Sequence, residues 1–299
     1  MLCGYAASMN PALFHFRLRA RRWQVLHTLL LALAILLLSR AFGADTLDWS
    51  KETSVVADGA TNFTINNVSG YSGNVAFAIT GNTGTFFSGN YSHYPQVANP
   101  DTYPAVQSGS GGKWTGSDVT GGSTDDSLQL FGKFSSNTES ITLNMFFSTP
   151  VQAVSFSLFD LDIGTYNSSG GNAGTYSFQD QVTILGSSNG GTTWFNPTDI
   201  TGNTSNVAIT GNTVTGITSG VNNSSSNNAQ IVFANPVNDI KIVYLPGPLS
   251  QSQPDQQAIG LDNVHFTPVP EPGTLLAGAL PALWLAARAL HRAGAPTPG

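Results

Sequence analysis

Between Asn62 and Phe266 this chain carries short runs whose apolar residues recur with a period of two, and no amphipathic helix of useful length. In Ser140–Phe147, Ile141, Leu143 and Met145 share one face; in Val151–Asp160, Val154, Phe156 and Leu158 do. Successive side chains of a strand point to opposite faces, so this alternation describes strands with one face in a core. Ser148-Thr149-Pro150, between the two runs, reads as a hairpin connection. The same reading gives strands at Asn62–Val68, Val75–Thr80, Ser127–Phe131, Gln181–Leu185, Asn212–Ile217, Gln230–Ala234, Asp239–Leu245 and Ala258–Phe266. About ten short strands parted by turn residues, with no amphipathic helix of useful length between Asp45 and Pro268, predict an all-β fold, a single β-sandwich or jelly roll. Ser88–Asp126 carries few strand signals and is long for a loop; it holds short strands that show no period, or it is a surface insertion.

Asn, Ser, Thr and Gly dominate the middle of the chain, a mix that favours strands and turns over helices. Ala78-Ile79-Thr80-Gly81-Asn82-Thr83 recurs as Ala208-Ile209-Thr210-Gly211-Asn212-Thr213, and Ile200-Thr201-Gly202-Asn203-Thr204 repeats most of it. Gly-Asn supplies the positive φ angles of a tight hairpin turn and Thr suits the flanking strands, which explains the repeat better than an internal duplication does. All seven arginines lie near the ends, and between Ala44 and Pro268 four lysines face sixteen carboxylates. Phosphate binding needs clustered Lys or Arg, so nucleic acid is not an expected partner. Cys3 is the single cysteine and lies ahead of an apolar segment, so no disulfide and no thiolate metal site is expected in the mature protein.

Both ends read as addresses. Arg17-Leu18-Arg19-Ala20-Arg21-Arg22 is a basic stretch before a largely apolar run of 14 residues, Val25 to Leu38, and Ala41-Phe42-Gly43 supplies small residues at the −3 and −1 positions. Residues 1–43 are thus expected to be a signal peptide cleaved before Ala44, with 44–268 as the β-sandwich domain. In 269–299, Pro270-Glu271-Pro272 precedes an apolar stretch, Thr274 to Ala287, and then Arg288, His291 and Arg292. That order resembles the PEP-CTERM sorting signal recognised by exosortases. The resemblance implies processing at Pro270, Glu271 and Pro272, an exosortase-type enzyme as partner, and a short transmembrane helix holding the chain transiently in the inner membrane. About fourteen apolar residues fall short of the roughly 20 that span a bilayer untilted, which suits a transient stop. Positive charge after the helix leaves the bulk of the chain outside.

Four segments of the middle region also resemble an uncharacterised class of exported bacterial β-sandwich domains. They are Thr80 to Phe86, Val154 to Asp162 (VSFSLFDLD), Asp180-Gln181-Val182, and Ala258 to Phe266 (AIGLDNVHF). This resemblance implies a jelly roll and no established activity.

The sharpest constellation of polar residues is Asp160-Leu161-Asp162, with Asp180 opening the next strand. Residues i and i+2 of a strand share a face, so Asp160 and Asp162 project together and can share a hard cation such as calcium. Asp180 adds a third oxygen ligand and Asp262 a fourth. The loop is no EF-hand, since the twelfth position from Asp160 is Gly171 rather than a bidentate Glu. Aspartates that cap backbone amides at strand ends are the competing reading. As a glycoside hydrolase pair, Asp160 and Asp162 lack any feature that separates acid from base. With His93 and His265 the only histidines of the middle region and no Gly-x-Ser-x-Gly elbow, no catalytic residue is assigned. Tyr91, His93, Tyr94, Tyr103 and Trp114 in the long loop, and Tyr166 and Tyr176 beside the Asp loop, can stack on sugars or pin loops to the sheet. The expectation is an exported, non-catalytic cell-surface or extracellular-matrix protein. The alternative is a calcium-dependent carbohydrate-binding module acting on extracellular polysaccharide.

Overall fold

A computed structural model of the chain describes residues 44–52, 55–56, 59–68, 70–81, 104–107, 121–122, 126–221, 224–254, 256–269 and 284. The expected signal peptide, the Pro270-Glu271-Pro272 motif and the apolar stretch after it lie outside the described residues, Trp284 excepted. Among the described residues no helix is long and apolar enough to cross a membrane.

Among the described residues of the folded unit, Ala44–Val269, strand is almost the only regular secondary structure. Its elements are β1 (Asp45–Leu47), a one-turn helix α1 (Trp49–Glu52), β2 (Asn62–Asn66), β3 (Asn74–Gly81), β4 (Ala105–Gln107), β5 (Ser127–Gly132), β6 (Ile141–Phe159), β7 (Asp180–Ser187), β8 (Asp199–Gly202), β9 (Val207–Thr210), β10 (Thr213–Gly216), β11 (Ala229–Phe233), β12 (Val237–Pro246), β13 (Gln257–Leu261) and β14 (Val264–Pro268). All pairings between strands are antiparallel, and they join the strands into one open sheet folded on itself like a sandwich.

The fold turns on β6. The expected hairpin at Ser148-Thr149-Pro150 does not form, and both alternating runs belong to one strand of 19 residues. Its first half pairs with β3 and β12, its second with β11 and β14, so one strand serves both layers. Proline has no N–H for a sheet ladder and is tolerated where the ladder changes partners. Here the Tyr71 hydroxyl replaces the missing ladder: it accepts from Thr149 N at 3.0 Å and Thr149 Oγ1 at 3.1 Å, and donates to Thr149 O at 3.0 Å. Ala153, at φ 50, marks the bulge that follows.

One layer runs β2-β3-β6-β12-β7-β10-β9; the other runs β8-β11-β6, with β14-β1 and β13-β5-β4 on the far side of β6. Alternation sends one face of each strand into a single core, where Trp49, Phe77, Tyr71, Phe147 and Phe266 make edge or tilted ring contacts. The expected strand Ala258–Phe266 is broken in two. At the break, Asp262 N donates to Ser157 O, Asp262 O accepts from Trp49 Nε1, and Asn263 Oδ1 accepts from Trp49 N, which swings the chain from β5 toward β1. Gly211, at φ 61, makes the tight turn from β9 to β10, whereas Gly81 and Gly202, in the other copies of the repeat, end β3 and β8 without a positive φ.

Candidate functional site

The Asp cluster lies where β6 ends. Asp160 adopts φ 62, so the strand period stops at Phe159 and the two carboxyls meet through a turn rather than through i, i+2 strand geometry. Leu161 drops into the core, its N–H bonded to Asn227 O at 2.9 Å. Asp162 and Asp180 then clasp each other: Asp180 N donates to Asp162 O at 2.9 Å, and Asp162 N to Asp180 Oδ2 at 3.1 Å. Asp180 Oδ1 accepts from the Tyr244 hydroxyl at 2.7 Å, and Asp162 Oδ2 from Gly220 N at 2.9 Å.

Three of the four predicted ligands are therefore brought together. Asp160, Asp162 and Asp180 are 6%, 8% and 1% exposed, so solvent reaches them poorly. Burial, and then the neighbouring Asp162, push the Asp160 carboxyl up to about 8. Burial also raises Asp162, partly offset by its hydrogen bonds with Gly220 and Asp180. Asp180 stands well above the usual carboxylate range through burial and the charges of Asp162 and Asp160, against the bond from Tyr244. Burial and the same three aspartates raise the Tyr244 phenol. Asp262 lies elsewhere, at the corner between β13 and β14, where its carboxylate accepts from Asn263 N at 2.7 Å. Among the described residues no three His, Cys, Asp or Glu side chains form a group arranged to hold a metal ion.

Several residues of the cluster carry no local sequence signal. Asn227 donates to Leu161 O at 3.2 Å and Thr218 O at 3.1 Å, and Gln179 donates to Gly216 O at 2.8 Å. Gly216 packs so closely that a Cβ there would collide with the Asp162 carbonyl. Tyr244 could have been suspected, because it sits on the inward-facing positions of β12 and needs a partner for its hydroxyl.

Between Ile163 and Gln179 the chain forms a ribbon paired at both positions and at Tyr166 with Tyr176; residues 249–251 lie alongside it. The Tyr166 ring is 54% exposed and meets Tyr176 edge-on at 5.2 Å. Tyr91, His93, Tyr94, Tyr103 and Trp114 lie outside the described residues. His265 Nδ1 is 2.9 Å from Thr46 Oγ1, a cross-strand contact between β1 and β14.

No protein-family model and no curated protein matches the chain. A solved structure described as "X-ray structure of GH31 CBM32-2 bound to GalNAc" is similar over 63% of this chain and 97% of its own, at 14% identity and a TM-score of 0.26. A likeness that low carries no argument about this chain.

Proposed function

We propose that the chain is an exported, non-catalytic cell-surface or extracellular-matrix protein, freed from a transient membrane stop by an exosortase-type enzyme acting at Pro270-Glu271-Pro272. The observation that carries the reading is where the folded unit begins and ends. Ala44 directly precedes β1, and the last strand, β14, ends at Pro268 with Val269 N bonded to Pro150 O at 3.0 Å. Cleavage at both addresses therefore removes none of the fourteen strands of the described residues. The burial of Asp160, Asp162 and Asp180 supports a structural rather than catalytic role for them, since a general acid must reach its substrate. Replacing Pro270, Glu271 and Pro272 with alanine should leave full-length protein in the membrane fraction. Unchanged release, by fractionation and intact mass, would show that the motif is not read.

The exposed Tyr166 ring favours a second reading, a calcium-dependent carbohydrate-binding module, because an aromatic face open to solvent can stack on a sugar. A glycan array with and without chelator tests it. Chelator-sensitive binding that is lost in Tyr166→Ala supports this reading, and an array without binding removes it.

A further inference from the structure

Asp160, Asp162 and Asp180 are buried together, and among the described residues no Lys, Arg or His acts on their charge. Such groups must be neutralised by protons or by a cation. A proton removes the charge but not the shortage of partners. Asp160 Oδ1 is buried without any hydrogen-bond partner, at the turn that leads into Asp162. Two neutral oxygens, Thr218 Oγ1 and Asn228 Oδ1, are in the same state. They belong to the segments that bracket the cluster, where Thr218 O accepts from Ile163 N at 3.2 Å and Asn227 O from Leu161 N at 2.9 Å. Of the seven buried side-chain polar atoms without a partner among the described residues, these three oxygens lie on the segments meeting at Leu161–Ile163. A buried carboxylate oxygen without a partner, next to a second carboxylate, is what a hard cation satisfies and what a zinc or copper site does not offer; the Asn228 amide, by contrast, turns to Gly121, donating to its carbonyl at 2.9 Å.

We infer that this end of the sandwich binds a divalent hard cation of the calcium type, with the Asp160 carboxylate as its principal ligand and Asp162 beside it. Asp180 holds the frame instead, because its two oxygens already serve Tyr244 and Asp162 N. That division is consistent with the lack of a ready-made group of three acidic ligands. The inference rests on the calcium part of the second functional reading and is independent of any sugar.

The test is thermal unfolding of the exported protein, followed by intrinsic fluorescence, in chelator, in calcium and in magnesium, with calorimetric titration of calcium alone. At a hundredfold excess over its Kd, calcium should raise the Tm by about 5–10 °C. Magnesium, which demands near-ideal octahedral geometry, should do less. Asp160→Asn should keep the wild-type circular dichroism and a Tm in chelator no lower than wild type, yet show no response to calcium. Asp180→Asn should lower the Tm in chelator while keeping a calcium response. Identical wild-type melts in chelator and calcium, or a calcium shift that survives Asp160→Asn, would overturn the assignment. Glycan binding enters neither outcome, so failure here is distinguishable from failure of the sugar reading.

Discussion

At the scale of single residues, the Asp160 carboxyl and the Tyr71 hydroxyl show how far one polar group can set local stability. In the folded protein Asp160 sits at about 8, against 3.8 for the free group, so folding favours its protonated form. The resulting stability is complete below pH 4 or so and is lost as pH rises through about 8. The raised Asp162 and Asp180 act with the same sign. The urea midpoint of the metal-free protein should therefore fall between pH 5 and pH 9, and Asp160→Asn should flatten that fall; a midpoint that rises with pH would contradict it. Tyr71 is buried and its hydroxyl makes three bonds to Thr149. Tyr71→Phe leaves Thr149 N, Oγ1 and O without that partner and should cost about 1–3 kcal/mol in urea denaturation. The pairing of Asp160 with Asp162 and Asp180 was legible in sequence, since all three flank one connection. Tyr244 and Asn227 come from segments more than 40 residues beyond Asp180, and only folding brings them in.

At the scale of elements, strand length decided what could be read. β3, β5, β7, β11 and β12 carry enough residues to show a period, and each lies within a residue or two of its expected bounds. β1 and β4 have three residues, and β8 and β9 have four, too few for alternation to stand out, although β10, also of four residues, falls inside the expected strand Asn212–Ile217. β8 is also mostly exposed, so no apolar face announces it. The hairpin expected in the middle of β6 failed because turn residues describe local chain preference, while Tyr71, 78 residues from Thr149, offers the alternative. Glycines of β10 and of the ribbon separate close packing from open space. Gly216→Ala would drive a Cβ into the Asp162 carbonyl and should cost about 1–3 kcal/mol, while Gly171→Ala, with nothing within 4 Å, should change stability by less than about 0.5 kcal/mol. Equal urea midpoints for the two variants would contradict this contact.

At the scale of the whole molecule, residues 44–269 contain every strand and one core among the described residues, so this stretch produced alone should unfold in a single transition. Its midpoint should match that of the processed exported protein, and two separate transitions by fluorescence and circular dichroism would break the prediction. The all-β class was readable from the residues alone, because a period of two can bury a face only in a sheet. So was the scarcity of cationic side chains, because composition does not depend on how the chain folds. That β6 crosses between layers emerges only on folding, since the choice between a hairpin and a shared strand depends on partners distant in sequence. So does the burial of Asp160, Asp162 and Asp180, while Asp262 is held apart at another corner. Burial is a property of what packs over a side chain, and no local pattern of residues records that.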